Sequence, residues 1–159
     1  MTYKTIDLQV TERKATLTLN RPEAMNAMDF TMMRELSHCF ESLHHEKNVQ
    51  LLVIKGAGKV FSAGGDVKAM VQSTGSSDFG HIMGDISRLV RAYYTLPMIT
   101  IAQIHGAAAG LGFSLALGSD IIVAEHSSKL AMNFIGIGLV PDGGGHFFMK
   151  ERLGTTKAK

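Results

Sequence analysis

No glycine occurs before Gly56, and all seventeen fall between there and Gly154. At 17 of 159 residues the share is about 11%, against a usual 7% or so. Their placement constrains the chain more than their number. They band in Ser62-Ala63-Gly64-Gly65-Asp66, in Gly106 to Gly112 and in Pro141-Asp142-Gly143-Gly144-Gly145. The bands follow stretches with strand character and precede helical patterns, so strand, glycine-rich turn and helix recur about three times without close sequence identity. That is the signature of a layered α/β chain whose sites sit at strand-to-helix turns, and not of a short-period solenoid.

The glycine-free front supplies regular elements. Residues 5–10 and 15–19 alternate in the manner of strands joined by the polar TERK turn. From Asp29, apolar residues at Met32, Met33, Leu36, Phe40 and Leu43 trace one helix face, which ends near 44–48. LLVIKG (51–56) reads as a strand buried on both faces. A helix starts at Asp66, residues 72–80 read as a mobile surface loop, and a second helix runs from about Ile82 to Tyr94. Strands are expected at 98–104, 121–125 and 129–134. HGAAAGLG reads as a small-residue loop, FSLALGSD as a helix, and Gly136 to Gly145 as a further turn before a last helix.

Composition removes several classes. Apolar residues at 45% with 19% charged are enough for a core and too few charges for a disordered tail. Ten methionines and no tryptophan suggest an adaptable core. A net charge of +2 without a basic block argues against nucleic acid. The lone Cys39 rules out an intrachain disulfide and fits a reducing, cytoplasmic setting, and the start lacks the apolar region of a secretory signal. Ala92 to Ser119 carries no charge, but Pro97, Gln103 and His105 interrupt it, and a buried strand plus helix explains it better than a membrane span.

Standard signatures fail. There is no phosphate-binding P-loop and no metal-ligand spacing. Gly112-Phe113-Ser114-Leu115-Ala116 misses the nucleophile elbow at its last position, which leaves Ser114 as a packing residue. His44-His45 reads as a solvated helix end. The three glycine turns remain. Free N–H groups at such helix starts can hold an anion or a polarised oxygen, although glycines also simply permit tight packing. Asp142 is open to two uses: a helix N-cap, the commoner one on spacing alone, or a half-buried proton carrier.

Taken together, LTLNRPEAMNAM (17–28), VIKGAGKVFSAGGDVKAM (53–70), PMITIAQIHGAAAGLGFSLALGSDIIVA (97–124) and KLAMNFIGIGLVPDGGGHFFMKERLG (129–154) resemble the enoyl-CoA hydratase/isomerase (crotonase) superfamily. The resemblance implies a crotonase-like spiral of ββα units, here a single core domain over 1–159 that lacks the family's C-terminal helical segment. It implies an acyl-CoA as bound substrate, no separate cofactor or metal, and a trimer or hexamer as the family's assembly. By position, the N–H groups of Gly65 and Leu111 would form an oxyanion hole. Coenzyme A would lie along Ala24, Met25 and Ala27 and along Ala63, Gly64, Gly65, Asp66, Val67 and Lys68.

The departures bear on the reaction. Where the family's hydratases carry two glutamates, this chain has Ser114 and Phe134. Where several isomerases carry a catalytic aspartate, it has Asp142. The resemblance therefore favours an acyl-CoA isomerase. A hydratase with another acid and base, a catalytically incomplete acyl-CoA binder and a scaffold without ligand are the alternatives.

Overall fold

The computed structural model describes residues 2–72 and 78–159. Its strands are β1 (Ile6–Thr11), β2 (Lys14–Leu19), β3 (Leu51–Gly56), β4 (Ile99–Ile104), β5 (Ala107–Ala109), β6 (Ile121–Ala124) and β7 (Lys129–Ala131). Its helices are α1 (Phe30–Leu43), α2 (Val67–Gln72), α3 (Asp78–Tyr94), α4 (Leu111–Leu117), α5 (Gly145–Leu153) and α6 (Thr155–Ala158).

A larger sheet has the order β1-β2-β3-β4-β6, with β1 antiparallel to β2 and every later pair parallel. Alternation decides which way each strand faces. Ala15, Leu17 and Leu19 of β2 are buried, as are Leu52 and Ile54 of β3 and Ala102 and Ile104 of β4. They share one core with Met32, Met33, Leu36 and Phe40 of α1 and with Leu89 and Tyr93 of α3. Phe40 and Tyr93 stack at 4.7 Å between ring centroids, which joins the two helices. Asp29 caps α1 by accepting from the Met32 N–H at 2.8 Å.

Crossover topology then builds a second layer. After each parallel strand the chain adds a short extended stretch before its helix. Met28 bridges Gly65, Ser62 bridges Ala108, and β5 pairs with β7, all in parallel. Successive units are therefore β2–Met28–α1, β3–(62–65)–α2/α3, β4–β5–α4 and β6–β7–α5, each laid beside the last. This is the expected spiral. It places the three glycine-rich turns at equivalent points of neighbouring units, which is why segments far apart in sequence become neighbours.

Several expectations need correction. β3 alternates between buried and half-buried residues because the shared core takes only one of its faces. HGAAAGLG contains β5, since alanines are small enough to pack between Ser62 and β7. The strand at 129–134 stops at Ala131, and Phe134 instead precedes a short 3-10 turn, Ile135–Ile137. α3 starts at Asp78 rather than Ile82. Most of the mobile loop expected over 72–80 lies outside the described residues. The uncharged stretch from Ala92 is divided among α3, β4, β5 and α4, and among the described residues no helix is long and apolar enough to cross a membrane.

Candidate active site

The first wall of the site is a pair of turns locked together. After the 3-10 turn Pro22–Ala24, Met25 and Asn26 both adopt left-handed conformations, each with φ of 53°. Such residues cost about 1–2 kcal/mol apiece, and the buried Asn26 side chain offsets this. Its Oδ1 accepts from the Arg21 N–H at 3.0 Å, and its Nδ2 donates toward the carbonyls of Ala57, Val60 and Phe61 at 2.8, 2.9 and 3.2 Å. Main-chain bonds complete the clasp: Ala63 N to Met25 O at 2.9 Å, Met28 N to Gly64 O at 2.7 Å and Asp66 N to Met28 O at 3.0 Å. Ala24, Met25 and Ala27 thus come to lie against the segment from Ala63 to Asp66.

Asp66 caps α2, accepting from the Ala69 N–H at 3.1 Å, and pairs with Arg21 at 3.1 Å. Burial pushes its carboxyl up, but the N–H donors and the Arg21 guanidinium outweigh this and hold it below the usual range. Val67 and Lys68 are exposed on the first turn of α2.

Gly64 brings the second turn close. Its φ is +103°, and a Cβ there would lie 2.7 Å from Ala109 O and 3.3 Å from Leu111 N. Only glycine fits. Leu111 opens α4, so its N–H has no partner within the helix. Among the described residues, neither the Leu111 nor the Gly65 N–H is hydrogen bonded. Gly65 lines a pocket of about 210 Å³ together with Gly110, Asn133, Phe134 and Asp142.

Asp142 borders that pocket and also a larger apolar one of about 590 Å³, whose walls include Ile86, Val90, Arg91, Tyr94 and Phe148. It is not an N-cap: Gly144 holds that position for α5, and no side chain caps the helix. Its Oδ1 is buried with no hydrogen-bond partner, and burial raises its carboxyl above the ordinary value. Phe134 is buried, its ring 3.7 Å from where a Cβ on Gly110 would sit. Ser114 is fully buried, and its Oγ donates to the Asp142 carbonyl at 2.9 Å. The unpaired Gly65 N–H and the poorly solvated Asp142 carboxylate belong to residues lining one pocket, and the Leu111 N–H lies on the turn seated against Gly64. Such groups can polarise a carbonyl oxygen and move a nearby proton.

Sequence reasoning missed Arg21, Asn26 and Asn133. An asparagine a few residues after a proline, between two predicted elements, is a signal for a left-handed turn, and it could have identified Asn26. Asn133 had no such signal.

The family model for enoyl-CoA hydratase/isomerase matches residues 11–159. YhaR of Bacillus subtilis strain 168, which carries the enoyl-CoA hydratase/isomerase name, is 47% identical over 91% of this chain and 56% of its own length. The 1,2-epoxyphenylacetyl-CoA isomerase of Escherichia coli K12 is 38% identical, over 90% of this chain and 56% of its own. An enoyl-CoA hydratase structure from Mycobacterium avium subsp. paratuberculosis K-10 superposes with a TM-score of 0.90 at 29% identity, covering 99% of this chain and 62% of that one. The chain therefore spans little more than half the length of these relatives, which are named for isomerase and hydratase activities alike. It belongs to the enoyl-CoA hydratase/isomerase (crotonase) superfamily and has that fold.

Proposed function

We propose that this protein binds an acyl-CoA and shifts a double bond along its acyl chain, with Asp142 carrying the proton. The observation behind this reading is the Asp142 carboxylate, half-buried, one oxygen without a partner, at a pocket that Gly65 also lines. Asp142 takes a proton from C2 of a 3-enoyl thioester, and the C–H electron pair forms the enolate. The Gly65 and Leu111 N–H groups receive the charge on the thioester oxygen, each such donor typically worth about 3 kcal/mol in the transition state. The enolate collapses with C2=C3 forming, while the electrons of C3=C4 take the proton back from Asp142 at C4. Nothing is gained or lost overall.

Coenzyme A lies along the clasped turns, with Ala24, Met25 and Ala27 on one side and Ala63 to Lys68 on the other. Exposed Lys68 is placed to meet a phosphate. The thioester is substrate, not cofactor. Against hydration stand Ser114, whose proton is already given to the Asp142 carbonyl, and Phe134, a hydrocarbon. The apolar residues Ile135 (84% exposed) and Val140 (77%) near the pocket favour association with further copies. The lone buried Cys39 fits a cytoplasmic setting.

Separate incubation with 3-hexenoyl-CoA and 2-hexenoyl-CoA, followed by liquid chromatography and mass spectrometry, tests the reading. The conjugated isomer at unchanged mass is expected from the first. A gain of one water from the second supports a hydratase instead. Binding of both thioesters without product supports an acyl-CoA binder.

A further inference from the structure

We infer that Ser114 is the positioning residue that aims Asp142, so that one turn of α4 fixes the proton carrier relative to the oxyanion donor. This rests on the isomerase reading and adds a residue to it. Among the described residues, no other residue donates a hydrogen bond to the Asp142 carboxylate, and its Oδ1 has no partner at all. The aim of the side chain is therefore inherited from the backbone at 142. That backbone is held at its carbonyl, which accepts from Ser114 Oγ at 2.9 Å and from Gly145 N at 2.9 Å. The Met132 sulfur, 3.8 Å from Ser114 Oγ, is a weak acceptor, so the single hydroxyl proton belongs to the carbonyl.

Packing supports the same assignment. Leu111 and Ser114, three residues apart, share one face of α4, and the Asp142–Gly145 turn rests on that face. A Cβ on Gly143 would lie 2.4 Å from Leu111 Cδ1 and 3.1 Å from Ser114 Cβ. A Cβ on Gly145 would lie 2.6 Å from Ser114 Oγ. The close seat leaves no room at 114 for a longer side chain. It also makes the hydroxyl, not bulk, the group that grips the turn.

Four variants test this with 3-hexenoyl-CoA: Ser114→Ala, Ser114→Cys, Asp142→Asn and Ser37→Ala. Ser37, a buried serine on α1 that donates to the Met33 carbonyl at 3.0 Å, lies outside the site and controls for the loss of such a bond. In Ser114→Ala, kcat is expected to fall about 10- to 100-fold, as sub-ångström to 1 Å misplacement does. KM should stay within about twofold, with thermal stability matching Ser37→Ala, which keeps wild-type kcat. Ser114→Cys, a near-isostere with a weak donor, should fall in between, and it carries the test if the alanine variant fails to fold. Wild-type kcat in the folded Ser114 variants, with Asp142→Asn inactive, overturns this inference and leaves the isomerase reading standing. Full activity in Asp142→Asn, or no isomerisation by the wild type, overturns both.

Discussion

Arg21 and Asp66 are 45 residues apart in sequence and joined at 3.1 Å, and the same guanidinium nitrogen donates to Ala27 O at 2.6 Å. Asp29 stands 3.4 Å from it. One cation thus ties together both turns proposed to hold coenzyme A.

Replacing Arg21 by methionine keeps most of the stem and removes these bonds. It leaves two partly buried carboxylates unpaired, so a stability loss of about 2 kcal/mol is expected. KM for an acyl-CoA should rise more than kcat falls. Urea denaturation and steady-state kinetics would check both. An unchanged KM would separate the cluster from coenzyme A binding.

Gly64→Ala forces a Cβ to within 2.7 Å of Ala109 O at a φ of +103°. Relief requires the Gly65 and Leu111 turns to part. The expected result is a loss of roughly 2 kcal/mol in stability and a fall in kcat out of proportion to it. Gly84→Ala, inside α3 with no neighbour within 4 Å, is the control: it should leave kcat unchanged and raise stability by about 0.5–1 kcal/mol.

Burial raises the Asp142 carboxyl, and this has two consequences with opposite benefits. As a base it must be ionised, so kcat/KM should fall as pH drops through its raised value, above the ordinary ~4 of an aspartate. For stability the sign reverses. Between the unfolded and the raised folded value, the folded state keeps a proton that the unfolded state has lost. Stability therefore declines as pH rises through that window. Asp142→Asn should flatten this decline in a series of melts from pH 4 to 7. An acid limb at or below the ordinary carboxylate value would contradict the burial argument, since Arg91, which lines the same larger pocket, would then dominate.

What the sequence made legible was local. Apolar runs and glycine bands placed the strands of the larger sheet and the three helix starts, because each signal lies within a few residues of its effect. β5 was hidden because three alanines carry no strand preference, and its partners, Ser62 and β7, are distant in sequence. Arg21 and Asn26 bond each other locally, but what they join to this turn, Asp66 and the carbonyls of Ala57, Val60 and Phe61, lies 31 to 45 residues away, so their clasping role did not show in the sequence. Asp142 was ambiguous until Gly144 was seen at the cap position of α5. The resemblance put Ser114 and Phe134 at the positions of the hydratase glutamates, and the structure shows both side chains buried. What Ser114 does instead depends on a turn that folds back 28 residues later.

The most direct test of the central claim compares wild-type protein with Asp142→Asn in converting 3-hexenoyl-CoA to its conjugated isomer, with binding of the thioester measured alongside. The expected result is a loss of about 10³-fold in kcat, in the range for removal of a general acid–base, with binding retained. Isomerisation by Asp142→Asn at the wild-type rate would contradict the account.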